Sequence, residues 1–355
     1  MRFHETMARY AADVDAALAH FFGELKTQAA RVDSSTLEMA EALQQFTCGP
    51  GKRLRPILMR VAYEGLGGTN TEAIIRASCA AELMQSFLLI HDDIMDCSEL
   101  RRGRPTLHRW YHTRYSKQMR DSEHFGLAMA ILAGDLSNQW AMLLLGQAPF
   151  APHCIARALM CYNRIAIDVC YGQVLDMALP KCPLNDVREE DMWKVMEYKT
   201  ARYTIEGPLR LGAILASADE EMLARLSAYG VPIGEAFQLR DDILGAFGEE
   251  ARTGKSASSD LVGGKRTLLL VEAWKRASEE QRRALSQVLG NTEATAEEIE
   301  VAQRVLEDTG ARAHVMQLAE ARATGAKGAL AGMPLAAPER QFLTELADYV
   351  VARER

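Results

Sequence analysis

The sequence lacks the features that commonly export, anchor or divide a chain. Its seven cysteines are scattered and include no Cys-x-x-Cys pair, which argues against a zinc or redox motif. The polar N-terminus lacks the apolar core of a signal peptide, and the longest apolar run is shorter than the roughly 20 residues that span a bilayer. No linker rich in proline, glycine and serine is present. We therefore expect one domain, residues 1–355, in a reducing cytoplasm and without a transmembrane segment.

A surplus of positive charge is also absent. The 355 residues include 41 Lys and Arg against 48 Asp and Glu, and the formal net charge is -7. Such a chain offers no general surface for nucleic acid, so we expect no nucleic-acid partner. Any anionic ligand must instead be bound by individually placed basic residues.

Alternating β-branched runs are scarce, whereas helical periodicity extends through the whole chain. Residues 35–38 and 295–298 have the pattern of capping boxes, which would open helices that end near Phe46 and Gly310. Residues 72–90 and 124–147 are apolar around most of the helix circumference, so we expect both inside a bundle. The sequence thus predicts an all-α protein, with further helices over 56–66, 72–96, 124–147, 152–179, 187–216, 219–247, 266–289, 310–331 and 337–353.

Three aspartates stand at the end of the helix predicted over 72–96. Asp92 and Asp96 are four residues apart and share a helix face, and Asp93 lies on the adjoining row. Like charges repel, and a helix C-terminus disfavours anions, so a divalent cation would relieve the arrangement. Taken alone, the motif favours the alternative of a solvated acidic helix end, neutralised by Arg101, Arg102 and Arg104.

A second acidic pair, Asp241 and Asp242, has the apolar neighbours of a partly buried position. If both pairs point into one cavity, their oxygen ligands suit magnesium, which usually completes its shell with water and substrate phosphates. Lys52 and Arg55 at a helix start can converge on an anion, although a solvated basic turn is the alternative. Residues 249–264 are small, polar and glycine-rich, as in a lid, and no nucleotide-type phosphate loop occurs.

Together these motifs resemble the trans-prenyltransferase family, the isoprenyl diphosphate synthases. The resemblance implies an all-α, single-domain helical bundle around a central cavity. It also implies condensation of isopentenyl diphosphate with an allylic diphosphate. The matching motifs follow the family's order between residues 45 and 270: Gly51-Lys52-Arg53-Leu54-Arg55-Pro56, His91-Asp92-Asp93-Ile94-Met95-Asp96, Arg101-Arg102-Gly103-Arg104-Pro105-Thr106, Gly172-Gln173-Val174-Leu175-Asp176, Lys199-Thr200, Phe237-Gln238-Leu239-Arg240-Asp241-Asp242 and Gly263-Gly264-Lys265-Arg266-Thr267.

The resemblance also assigns roles to individual residues. Magnesium ions, three per site with substrate bound, would be held by Asp92, Asp96 and Asp241, with Asp93 and Asp242 as further ligands or supporting groups. The allylic diphosphate would contact Arg101, Lys199 and Lys255, and isopentenyl diphosphate would contact Lys52, Arg55 and Arg102. Thr200, Gln238 and the Lys199 carbonyl would stabilise the carbocation. The released pyrophosphate would accept the proton, so no side-chain base is required.

Three positions depart from the family pattern. Gly245 replaces the third aspartate of the second motif, and Pro50 replaces the first glycine of the basic motif. Gln85 stands where many members place a histidine near isopentenyl diphosphate, and it keeps a hydrogen-bond donor without the charge. We expect activity to survive the change at Gly245, because Asp241 would be the principal ligand there, and a proline before a helix is tolerable because its missing N–H need not be bonded.

Phe87 lies five residues before Asp92, between one and two helical turns away. It is either an ordinary core residue or, with Leu88 and Met84, a wall that stops the growing chain. By resemblance, this aromatic residue favours geranylgeranyl diphosphate (C20) as the product, with a farnesyl or somewhat longer product as the alternative. The resemblance also implies a homodimer. More distant alternatives are a class I terpene cyclase, which has no need of Lys52 and Arg55, and a non-catalytic partner subunit.

Overall fold

The computed structural model describes residues 3–247 and 259–353, and the regular secondary structure of this part is helical apart from one short hairpin. The all-α prediction is therefore confirmed. The helices are α1 (Phe3–Ala30), α2 (Ser34–Thr47), α3 (Leu54–Gly65), α4 (Thr71–Met95), α5 (Leu107–Tyr115), α6 (Ser122–Gly146), α7 (Pro152–Ala178), α8 (Glu189–Val195), a π-helix (Met196–Glu206), α9 (Gly207–Leu215), α10 (Glu220–Phe247), α11 (Ser259–Val262), α12 (Leu268–Arg276), α13 (Glu279–Val288), α14 (Ala296–Asp308), α15 (Ala311–Leu330) and α16 (Ala337–Ala352).

The helices group into two compact units. The first contains Met1–Tyr162 and Leu211–Ala218, and the second contains Asn163–Arg210 and Asp219–Arg355. The single-domain boundary over residues 1–355 stays a prediction.

In the first unit, α4 packs against α1, α2, α3 and α6 and is buried along most of its length, as predicted. The prediction for residues 124–147 is wrong, because one face of α6 is open. Ile131, Leu132 and Leu143 on that face are 47%, 57% and 47% exposed. Both α4 and α6 are long and apolar enough to cross a membrane by length and composition alone. The burial of α4 is that of a core helix, whereas α6 presents an apolar surface.

In the second unit, α10 packs against the π-helix, α15 and α16. The helix predicted over 187–216 is continuous from Glu189 to Leu215, but the middle of it is the π-helix, with α8 before it and α9 after it. The helix predicted over 266–289 is divided, because Ser278 caps α13 by accepting a hydrogen bond from the Gln281 backbone. Such a cap satisfies amide groups that a new helix start leaves unpaired.

One of the two predicted capping boxes is present at the N-terminus of its helix. Thr295 caps α14 with Glu298 as predicted, but α2 is capped by Asp33 and Thr36 rather than by Ser35. The sequence interpretation missed α1 and α5. The Leu18 and Phe22 side chains of α1 are fully buried, so this helix belongs to the core of the first unit.

Candidate active site

The first aspartate motif lies at the C-terminal end of α4. Asp93 is fully buried, whereas the Asp92 side chain is 19% exposed and Asp96 is half-buried. Asp96 is the C-cap of α4, and its backbone N–H donates to the Asp92 carbonyl at 2.8 Å. The structure therefore brings the three predicted carboxylates to one helix end.

A hairpin after α4 places a guanidinium group against these carboxylates. Its strands β1 (Leu100–Arg101) and β2 (Arg104–Pro105) are joined by Arg102 and Gly103, which both have positive φ, as a tight two-residue turn requires. The Arg101 Nε donates to Asp93 Oδ1 at 2.8 Å, and its Nη2 lies 3.5 Å from Asp92 Oδ2. Burial disfavours the charged guanidinium, but the Asp93 and Asp92 charges outweigh it and raise the pKa of Arg101.

A basic cluster surrounds Gly51 in the first unit. A methyl group at Gly51 would lie 3.3 Å from Arg53 Nη1 and 3.6 Å from Arg102 Nη1, so the two guanidinium groups approach the same glycine. Loss of hydration lowers the pKa of Arg102, and the positive charges of Arg53, Arg101 and Arg55 lower it further, against the opposing charge of Glu82. A bound anion would reduce the electrostatic repulsion between these positive groups.

The residues that precede the first motif on α4 differ in burial. Met84 is buried, whereas Phe87 and Leu88 are half-buried. The Phe87 ring packs edge-to-face on His91 at a centroid distance of 5.1 Å, and His91 Nε2 lies 3.1 Å from the Ile131 carbonyl of α6. Gln85 is half-buried, and its Oε1 is buried without a hydrogen-bond partner among the described residues.

In the second unit, Lys199 and Thr200 lie on the π-helix, whose backbone is wider than an α-helix. Two glycines allow neighbouring helices to approach this backbone closely. A methyl group at Gly172 of α7 would lie 2.3 Å from the backbone nitrogen of Lys199, and one at Gly234 of α10 would lie 2.4 Å from the Ala201 Cα. The Lys199 Nζ donates to Asp176 of α7. Sequence reasoning identified Lys199 and Thr200 but missed the π-helix that presents them.

A chain of hydrogen bonds links the predicted cation-stabilising residues to the second aspartate pair. The Thr200 hydroxyl donates to Gln238 Oε1 at 2.7 Å, and Gln238 Nε2 donates to Asp242 Oδ1 at 2.7 Å. Since Asp242 accepts from Gln238, the amide is oriented with its oxygen toward Thr200. Burial raises the pKa of Asp242 to about 8, and the nearby Asp260 and Asp241 charges add to this effect.

Asp241 is more exposed than Asp242, with 44% of its side chain accessible. Its partner is Arg353, whose Nη2 donates to Asp241 Oδ1 and to the Phe237 carbonyl, the latter at 2.8 Å. The Arg353 guanidinium also lies 3.7 Å from the centre of the Phe237 ring. Sequence reasoning missed Arg353, because it stands outside any motif.

Asp260 is a second residue that the sequence interpretation missed. A methyl group at Gly245 would lie 2.1 Å from Asp260 Oδ2, so a carboxylate from α11 fills the space beside this glycine. The absence of the third aspartate at position 245 therefore does not leave the region without a third carboxylate. The predicted ligand Lys255, and residues 249–258 of the predicted lid, lie outside the described residues.

The donor chemistry of both aspartate motifs fits magnesium, since each offers carboxylate oxygens alone. Within residues 3–247 and 259–353, no group of three or more His, Cys, Asp or Glu side chains is gathered closely enough to hold a metal ion. The guanidinium groups of Arg101 and Arg353 contact Asp93 and Asp241 instead. A bound cation would therefore compete with these two arginines.

Comparisons with known proteins identify the family of this chain. Residues 37–306 match the family described as Polyprenyl synthetase. The chain is 32% identical to the geranylgeranyl diphosphate synthase of Methanosarcina mazei over 341 residues, which cover 93% of this chain and 97% of that protein. It is 33% identical to the geranylfarnesyl diphosphate synthase of Aeropyrum pernix over 305 residues, covering 85% of this chain and 90% of that protein.

A solved structure is similar over almost the whole chain. The geranylgeranyl pyrophosphate synthase of Corynebacterium glutamicum, complexed with isoprenyl diphosphate and magnesium, superposes with a TM-score of 0.92 at 32% identity. The match covers 98% of this chain and 99% of that protein. Both the sequence and the fold thus lead to the same family.

Proposed function

Because this chain belongs to the polyprenyl synthetase family, we propose that it condenses isopentenyl diphosphate head-to-tail with allylic diphosphates. The observation that carries the proposal is the basic cluster around Gly51, in addition to the aspartate motifs. One set of groups suits a diphosphate bound through metal, and the other suits a diphosphate bound by cations directly. A class I terpene cyclase binds one diphosphate and has no use for the second set.

Bound magnesium would neutralise negative charge as it develops on the departing pyrophosphate. We propose Asp92, Asp96 and Asp241 as its principal ligands, three ions per site, with Asp93 and Asp242 in supporting positions. Arg101, Lys199 and Lys255 would bind the same diphosphate. Lys52, Arg55, Arg102 and Gln85 would hold isopentenyl diphosphate, and Gln85 would donate a hydrogen bond to it from the side-chain amide nitrogen.

The allylic carbocation needs dipoles that stabilise positive charge without attacking it. Thr200 donates its proton to Gln238, so the lone pairs of the Thr200 oxygen remain available to the cation. The Lys199 carbonyl would add a second dipole. The double bond of isopentenyl diphosphate then attacks the cation, and the pyrophosphate accepts the proton that the product loses.

We propose geranylgeranyl diphosphate as the main product, with farnesyl or geranylfarnesyl diphosphate as the alternative. The proposed product length rests on Phe87, with Leu88 and Met84 along the same helix. Replacing Phe87 with Ser removes the bulk of the ring and should lengthen the main product. Chromatographic sizing of the products checks this, and an unchanged distribution would remove Phe87 from the argument.

The open face of α6 supports a homodimer. Ile131, Leu132 and Leu143 form an exposed apolar surface, and a second copy of the chain is the partner that we propose for it. Light scattering after chromatography should show a dimer, and Leu132→Glu should give a monomer. The seven cysteines all lie in the described part of the chain and form no disulfide there, which agrees with the reducing cytoplasm that we propose as the compartment.

The direct test incubates purified protein with magnesium, isopentenyl diphosphate and, in turn, dimethylallyl, geranyl and farnesyl diphosphate. Chain extension with at least one primer is the expected result. Cyclised hydrocarbon from a single diphosphate would favour a cyclase, and the absence of product with every primer would favour a non-catalytic partner subunit.

A further inference from the structure

Arg53 stands between the two basic residues Lys52 and Arg55, yet it differs from both. Its side chain is only 2% exposed, whereas Lys52 is exposed and Arg55 is half-buried. Its backbone has φ 51, in the left-handed region that side-chain-bearing residues seldom adopt. A buried charge at a strained backbone position persists only where its surroundings hold it.

The guanidinium group of Arg53 makes four hydrogen bonds that join three parts of the first unit. Nε donates to Asp15 of α1 at 2.7 Å, and Nη1 donates to Glu82 of α4 at 2.9 Å. The carbonyl groups of Thr47, the last residue of α2, and Gly49, in the turn after it, accept from Nη1 and Nη2 at 3.0 and 2.8 Å. Arg53 thus fastens its own turn to two helices.

The two carboxylates that bind Arg53 also affect its charge. Asp15 and Glu82 neutralise its charge, so Arg53 offers a substrate little attraction of its own. Its guanidinium nevertheless lies beside Gly51, as does that of Arg102. Glu82 also acts on Arg102, against the positive neighbours that lower the Arg102 pKa. The pair Arg53–Glu82 therefore acts on Arg102, and Arg53 lies between Lys52 and Arg55 in the chain.

We propose that Arg53 is a positioning residue for the isopentenyl diphosphate site, held by Glu82 and Asp15, and that it fixes the directions of Lys52 and Arg55. The left-handed turn at Arg53 separates the exposed Lys52 from the first turn of α3, where Arg55 lies. This inference rests on the proposed condensation activity.

The test compares Arg53→Gln, Arg53→Lys and Glu82→Gln with the unchanged protein in steady-state kinetics. Since misplacement on the order of 1 Å can cost on the order of 100-fold, we expect Arg53→Gln to raise KM for isopentenyl diphosphate about tenfold. The KM for the allylic substrate should change less than about twofold. Arg53→Lys keeps the charge but loses the planar fork, so only part of the affinity should return.

Arg60 provides a matched control. It is also buried, and it forms ion pairs with Asp13 of α1 at 2.6 Å and Glu64 at 2.8 Å, away from the basic cluster. Arg60→Gln and Arg53→Gln should both lower the melting temperature, but only Arg53→Gln should weaken isopentenyl diphosphate binding in calorimetry. Arg53→Gly serves where Arg53→Gln folds poorly, since glycine accepts the left-handed backbone.

The outcomes separate the two proposals. If the unchanged protein extends no primer, the proposed function fails. If it extends a primer and every folded Arg53 variant keeps both its KM and its calorimetric affinity for isopentenyl diphosphate, the positioning role of Arg53 is wrong. An equal loss in the Arg60→Gln control would also contradict it, since the effect would then be general destabilisation.

Discussion

The two aspartate motifs have the same division of burial but are held by different partners. In the first, Asp93 is buried and Asp92 is more exposed; in the second, Asp242 is buried and Asp241 is more exposed. Arg101, eight residues from Asp93 along the chain, holds the first motif. Gln238 holds Asp242 from one helical turn away, and Arg353 holds Asp241 from 112 positions away.

The difference in burial suggests a different role for each aspartate of a pair. An exposed carboxylate can enter the coordination shell of an ion that arrives with substrate, whereas a buried carboxylate is committed to its protein partner. We therefore expect Asp92 and Asp241 to bind metal, and Asp93 and Asp242 to support the neighbouring structure. The kind of support also differs, because Asp93 faces a cation and Asp242 faces a neutral amide.

The largest expected effect is the loss of the exposed aspartates. Asp92→Ala and Asp241→Ala should each reduce turnover by at least about 100-fold at saturating magnesium, since each removes charge stabilisation of the leaving group. Initial rates of condensation measure this. Asp348→Ala, which breaks an exposed ion pair with Lys327, is the control and should leave the rate nearly unchanged. Near-normal rates in Asp92→Ala or Asp241→Ala would contradict the metal assignment.

The first motif was easier to interpret from sequence than the second for a physical reason. Helical spacing alone places Asp92 and Asp96 on one face, and the resemblance to a family added the roles. Arg353 and Asp260 reach the second motif only through tertiary packing, which no local pattern encodes. The π-helix was missed likewise, because its close packing against glycines of α7 and α10 joins segments that are distant in the sequence. The open face of α6 was wrongly predicted as buried, since a mostly apolar circumference does not distinguish a buried helix from one with an open apolar face.

A second test compares the buried aspartates through stability. The pKa of Asp242 is raised to about 8, so the folded protein retains a proton that the unfolded chain loses above its ordinary pKa near 4. Wild-type stability should therefore fall as pH rises from about 4 to 8, and Asp242→Asn should remove this loss. In melting experiments without magnesium, Asp242→Asn should gain stability over wild type as the pH approaches 8.

The matched variant in the first motif should behave in the opposite way. Asp93→Asn removes the closest charge partner of Arg101 and leaves a buried cation less well compensated, which costs about 3 kcal/mol in comparable cases. Its melting temperature should fall at every pH in the same series. If both variants shift in the same direction across the series, the distinction between the two buried aspartates is wrong.

The smallest expected effect is that of replacing Arg353, which contacts Asp241 from the C-terminal end of the chain. Arg353 competes with a cation for Asp241, and its guanidinium is held in place by the Phe237 carbonyl and ring as well. Arg353→Gln should therefore lower the magnesium concentration needed for half-maximal thermal stabilisation, by about threefold, which corresponds to less than about 1 kcal/mol. It should also lower the melting temperature without magnesium, because the ion pair and the contact with Phe237 are lost. An unchanged magnesium requirement, with the melting temperature lowered, would show that Arg353 only anchors the C-terminal segment and does not compete for the second motif.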